Sequence, residues 1–93
     1  SKPPKKAHFY RCFPQCIILV PTRELAAQVH GETLKLVRGA GLRSAAVYGG
    51  IPYDEQMKEV DTACEFLTAT PGRLADMLAK EKVSLSGVQH VCL

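Results

Sequence analysis

No apolar run in these 93 residues approaches the roughly 20 residues that a membrane-spanning helix requires. The chain also opens without the charged, apolar and small-residue succession of a secretory leader. Four cysteines are present, Cys12, Cys16, Cys64 and Cys92, but they lack the paired spacing of a zinc site. Cys12 and Cys16 form one C-x3-C pair, and no second pair follows. Free thiols and no metal are therefore expected, with Cys16 and Cys92 acting as small hydrophobes inside apolar runs. These absences imply a soluble intracellular segment, in the cytoplasm or the nucleus, with no membrane partner.

The composition is that of an ordinary globular domain, 46% hydrophobic and 23% charged. A chain of this length buries only about 60–65% of its unfolded surface. The net charge of +3 is unevenly spread. Lys2, Lys5, Lys6 and Arg11 fall in the first sixteen residues without an acid among them, which leaves a balance of −1 for the rest. Such a basic lead-in attracts polyanions. It serves equally as a solvated loop, and charge alone does not choose between the two.

Residues 1–15, with Pro3, Pro4 and Pro14, have no hydrophobic period and read as a basic, proline-containing loop. Residues 16–93 alternate strand and helix patterns. Cys16 to Val20 is a continuous apolar run of the kind found in a strand buried on both faces. Pro21 ends it, and Thr22 caps a helix predicted to reach about Arg38, where Gly39 and Gly41 stop it. Leu25, Val29 and Leu36, flanked by Ala26 and Val37, form its expected apolar face. Gly31 weakens its far half by about 1 kcal/mol relative to alanine. Further strands are predicted at Ser44–Tyr48, Glu65–Ala69 and Val88–Leu93. A helix carrying Tyr53, Met57 and Val60 follows the second strand, and one carrying Leu74, Met77 and Leu78 follows the third. The fold class is α/β, a parallel sheet with flanking helices, and its strand order is open at this point.

In such a sheet every strand-to-helix junction lies on the carboxyl edge, where open α/β sheets bind ligands. Three junctions carry anion chemistry. Pro21-Thr22-Arg23 offers a helix cap followed by a cation. Gly49-Gly50 opens the backbone. Thr70-Pro71-Gly72-Arg73 combines a cap, a proline suited to the first helical turn, a glycine permitting close approach and a planar cation. Each alone is a common way to begin a helix or make a turn. Three along one edge, with strands about 4.8 Å apart, form a track that suits a strand of nucleic acid.

These residues resemble a known family. Pro21-Thr22-Arg23-Glu24-Leu25-Ala26-Ala27-Gln28 is similar to motif Ia of the DEAD-box RNA helicases, Gly49-Gly50 to their GG motif, and Thr70-Pro71-Gly72-Arg73-Leu74 to motif Ib. Order and separations fit, so the resemblance covers residues 16–93 as part of the first RecA-like domain, a P-loop NTPase-type fold. It implies that Pro21, Thr22, Arg23, Gly49, Gly50, Thr70, Pro71, Gly72 and Arg73 bind the sugar-phosphate backbone of single-stranded RNA or an RNA duplex. Thr22 and Arg23 would meet phosphates, Gly49 and Gly50 would offer backbone contacts, and Thr70, Gly72 and Arg73 would cradle another phosphate. Glu24, Leu25 and Gln28 are assigned to helix initiation and packing.

The same resemblance implies an ATP- and Mg²⁺-dependent enzyme that closes a second RecA-like domain on RNA. Yet the G-x-x-x-x-G-K-[ST] phosphate loop is missing here, as are the Q, Asp-Glu-Ala-Asp and Ser-Ala-Thr motifs. Phosphoryl transfer needs a phosphate cradle, a metal ligand and an oriented water. The expectation is therefore an internal fragment that has no catalytic residues, binds neither cofactor and is inactive alone. His90-Val91-Cys92-Leu93 resembles the strand that delivers the Asp-Glu-Ala-Asp motif. A non-catalytic short product that binds RNA or a helicase partner is the alternative. A Rossmann-type enzyme would place G-x-G-x-x-G after the first strand, where Pro21-Thr22-Arg23 stands instead.

Overall fold

The computed structural model describes residues 12–60 and 64–93; the basic run at Lys2, Lys5, Lys6 and Arg11 lies outside them. Four strands, β1 (Cys16–Leu19), β2 (Ser44–Val47), β3 (Phe66–Ala69) and β4 (His90–Cys92), pair in parallel in the order β2-β3-β1-β4. Three helices connect them: α1 (Arg23–Val37), α2 (Tyr53–Val60) and α3 (Pro71–Ala79). Every predicted element is present, with boundaries that differ from expectation by one or two residues at most positions. The strand order is new information. The β1-to-β2 connection passes over the site of β3, and the β3-to-β4 connection passes over β1.

The two faces of the sheet bury different residues because side chains alternate along a strand. Ile17, Ala45, Val47, Leu67 and Ala69 share one face and pack with Met57 and Val60 of α2 and with Leu74 and Met77 of α3. Leu67, Met77, Val47 and Val60 are fully buried there. The opposite face carries Ser44, which meets His30 of α1 through a 3.1 Å Oγ···Nδ1 contact.

The inward side of α1 departs from the expected apolar stripe. Ala26, Thr33 and Val37 are its buried residues, whereas Leu36 is 81% exposed and Leu25 sits at the margin. Thr33 enters the interior because its hydroxyl donates to the Val29 carbonyl one turn back, at 2.8 Å, and so brings no unpaired donor with it. Small residues at positions 26 and 33 let α1 lie close to the sheet. Gly31 does not interrupt the helix, which runs unbroken to Val37. A 3-10 turn at Arg38–Ala40 then leads to Gly41, whose φ of 74° closes the helix in the left-handed conformation expected of a glycine there.

Residues 12–15 are tied into the domain. The Cys12 amide donates to the Lys82 carbonyl at 2.8 Å and its carbonyl accepts from Ser84 at 2.9 Å, forming a parallel bridge to Val83. Cys12 does not pair with Cys16. Its sulfur lies 2.9 Å from that of Cys64, with both residues buried. The hydrogen bond from Cys64 draws the Cys12 thiol below the usual range, and the same contact together with burial pushes Cys64 up. Burial raises Cys16, assisted by Cys92, which shares its face of the sheet. Among the described residues no cluster of three His, Cys, Asp or Glu side chains could hold a metal ion.

Candidate nucleic-acid interface

Leu19, Ala69 and Val47 stand at one register across β1, β3 and β2, so the chain leaves the sheet three times side by side. The Val20 amide donates to the Ala69 carbonyl at 3.0 Å, and the Thr70 amide donates to the Val47 carbonyl at 3.1 Å, which fixes the exits relative to one another. From one side to the other they run Tyr48-Gly49-Gly50, Thr70-Pro71-Gly72-Arg73 and Pro21-Thr22-Arg23. The third junction in sequence is thus the central one in space.

At the first junction Thr22 is extended, with φ −131° and ψ 157°, and its Oγ1 accepts the Leu25 amide at 3.1 Å. Its hydroxyl oxygen caps α1 as an acceptor, which leaves the O–H able to donate. Arg23, the first helical residue, is exposed and reaches sideways past the central exit. A Cβ built on Gly50 would run into its guanidinium. Gly50 itself has φ 89°, a conformation that side-chain-bearing residues seldom adopt. Two separate demands therefore hold glycine at position 50, while Gly49 faces open space. Beside this contact lies a cleft of about 270 Å³ lined by Arg23, Glu24, Ala27, Tyr48 and Ile51. Glu24 is the one acid in the first turn of α1.

The central junction is built differently. Thr70 occupies the cap position of α3 with φ −86° and ψ 148°, but its side chain makes no capping hydrogen bond. Pro71 follows at the first helical position, and the amides of Gly72 and Arg73 fall among the donors that a helix start leaves without intrahelical partners. The free amides and the positive end of the helix dipole therefore lie at the carboxyl edge. Pro71 and Gly72 are exposed, and nothing stands within 4 Å of a Cβ placed on Gly72.

Arg73 points elsewhere. Only 11% of its side chain is exposed. Nη1 donates to the Gln56 side-chain carbonyl at 2.9 Å, and Nη2 donates to the Ile51 backbone carbonyl at 3.0 Å. Nε lies 3.8 Å from the Asp76 carboxylate, and the guanidinium carbon is 5.6 Å from the centre of the Tyr53 ring. The same Gln56 oxygen also accepts the Tyr48 amide at 2.9 Å. Gln56 is buried, although the apolar spacing of Tyr53, Met57 and Val60 does not single it out. A polar residue adjoining Met57 within a short amphipathic helix was the available signal, since buried amides require partners.

A parallel sheet with helices on both faces and donor-rich turns along its carboxyl edge defines a RecA-like α/β unit. Known proteins carry the assignment further. Residues 8–93 match the DEAD/DEAH box helicase family, and the chain belongs to that family. It is similar to the crystal structure of the yeast DEAD-box splicing factor Prp28, with 29% identity and a TM-score of 0.80 over 97% of this chain. It is also similar to a hypothetical ATP-dependent RNA helicase from Sulfolobus tokodaii, with 28% identity and a TM-score of 0.77 over 95% of this chain. The chain spans 21% and 33% of the lengths of those two proteins.

Proposed function

We propose that this chain holds the sugar-phosphate backbone of RNA as part of an ATP-dependent RNA helicase. The observation that carries this is the common register of Leu19, Ala69 and Val47, which delivers three donor-rich junctions to one edge. Thr70, the Gly72 amide and the first turn of α3 form the central phosphate seat. Arg23 supplies the cation, with Gly49 and Gly50 giving access to the backbone between them. Pro21 and Pro71 set the turns. Contacts of this kind position a strand without reading its bases. The printed description of the Sulfolobus protein as an ATP-dependent RNA helicase supports the assignment by likeness.

ATP and Mg²⁺ belong to the family rather than to these residues. The 93 residues contain no G-x-x-x-x-G-K-[ST] cradle, and none of the residues along the carboxyl edge forms an acidic metal site among those described. The residues here do not fit the nucleotide. In the intact enzyme a second RecA-like domain would close over the RNA. The 93 residues alone would be without ATPase activity.

The test is the salt dependence of RNA binding. In the complete protein carrying these residues, Arg23→Ala is expected to weaken binding to a mixed-sequence single-stranded RNA in fluorescence anisotropy. The slope of log affinity against log salt should fall by about 1. An unchanged slope would remove Arg23 from the interface.

A further inference from the structure

The central junction and the Gly49-Gly50 loop are joined by a polar bridge that buries Arg73, one of the two arginines expected to face the ligand. We propose that Arg73 is a positioning residue, not a phosphate ligand: with Gln56 it clamps the Tyr48–Ile51 loop to the start of α3 and so sets the distance between two RNA-holding junctions. This rests on the RNA-holding role of the carboxyl edge.

Four observations meet on the bridge. The two terminal nitrogens of Arg73 are spent on Gln56 and on the Ile51 carbonyl. Gln56 Oε1 is shared between Arg73 and the Tyr48 amide, so one buried oxygen ties α2, α3 and the residue preceding Gly49 together. Nε faces Asp76, and the guanidinium carbon lies over the Tyr53 ring. The bridge brackets the glycine pair, with Tyr48 held on one side of it and Ile51 on the other. A loop containing two glycines has more conformational freedom to lose than any other four-residue segment of the edge. Pinning both of its ends is what gives Gly50 a fixed place beside Arg23.

A phosphate ligand at position 73 would have to break two charge-assisted hydrogen bonds and leave a buried glutamine oxygen with one partner fewer. Lysine keeps the charge of arginine but cannot span Gln56 and Ile51 at once, because it lacks the planar fork. Glutamate at position 56 keeps the acceptor and adds charge complementarity to Arg73.

These differences make the test. Arg73→Lys, Arg73→Ala, Gln56→Ala, Gln56→Glu and the double variant Gln56→Ala/Arg73→Ala are compared in the complete protein. Anisotropy is measured with single-stranded RNA over a salt series, and amide hydrogen exchange over Tyr48–Ile51 is followed without RNA. Arg73→Lys, Arg73→Ala and Gln56→Ala should each weaken binding by roughly tenfold, with the salt slope unchanged. The double variant should be no worse than either alanine variant, because both break one bridge. Exchange at Tyr48–Ile51 should accelerate in all of them, and Gln56→Glu should keep near-native exchange and affinity.

A salt slope lowered by about 1 in Arg73→Ala, with Gln56→Ala binding like the native protein, would make Arg73 a direct phosphate ligand and overturn the proposal. Additive losses in the double variant, or unaltered exchange in Arg73→Lys, would overturn it too. The exchange arm needs no RNA. If the native protein fails to bind RNA at all, the proposed function falls, and accelerated or unaltered loop exchange still decides the clamp.

Discussion

Gly50→Ala separates folding strain from ligand loss at a single atom. The φ of 89° places residue 50 where an L side chain costs about 1–3 kcal/mol. Alanine also restricts the unfolded chain relative to glycine, which returns about 0.4–1 kcal/mol. The net loss of stability should be about 1–2 kcal/mol. The collision of the new methyl with the Arg23 guanidinium adds little to this, since Arg23 is exposed and its end can swing into solvent. That movement instead takes the cation off the carboxyl edge. Urea unfolding of the complete protein should therefore show a lowered midpoint with the same slope. RNA titrations should show the reduced salt slope of Arg23→Ala. Gly49→Ala is the control: its φ lies outside the left-handed range and its methyl meets open space, so its stability should stay within about 0.5 kcal/mol of native. Two results would refute the reasoning. One is a Gly50→Ala protein no less stable than Gly49→Ala. The other is an Arg23→Ala substitution that costs as much affinity in the Gly50→Ala background as in the native one.

The core offers two further expectations. Met77→Ala should destabilise by about 2–5 kcal/mol in urea unfolding, because Met77 is fully buried against the sheet, whereas Leu36→Lys should change stability by less than about 0.5 kcal/mol. Thr68 sits fully buried in the central strand, and its hydroxyl has no hydrogen-bond partner among the described residues. Thr68→Val keeps the shape and removes the unpaired group, so it should raise the unfolding free energy by about 1 kcal/mol, read from the urea midpoint.

Much of this architecture was legible in the sequence because the signals were local. Continuous apolar runs such as Ile17-Ile18-Leu19 mark strands buried on both faces, and Thr22, Pro71 and Gly41 punctuate the helices through their own backbone chemistry. The carboxyl-edge placement of the three junctions followed from parallel pairing alone. What stayed hidden depended on contacts between distant residues. Strand order is set by which strands pair, and Phe66 to Ala69 carries no label saying that it inserts between β1 and β2. Thr33 is the exception: helical period alone favoured Leu36, yet the hydrogen bond that lets Thr33 enter the interior runs only four residues back, to Val29. Arg73 looked like a free cation because its partners Gln56 and Ile51 are 17 and 22 residues away. Sequence supplied the charge, and only the fold supplied its occupation.

The insertion of β3 between β1 and β2 has a consequence for the order of assembly. The first and second junctions lie on strands that never touch, and the central one arrives on a strand formed from residues some fifty positions beyond β1. Pairings over such separations are slow, since the loop must close before any contact rewards it. A chain in which only β1, α1 and β2 had formed would own two ends of the track and a gap in the middle. The proposed track would become continuous only when β3 has paired with both β1 and β2, whether or not β4 has yet joined the sheet.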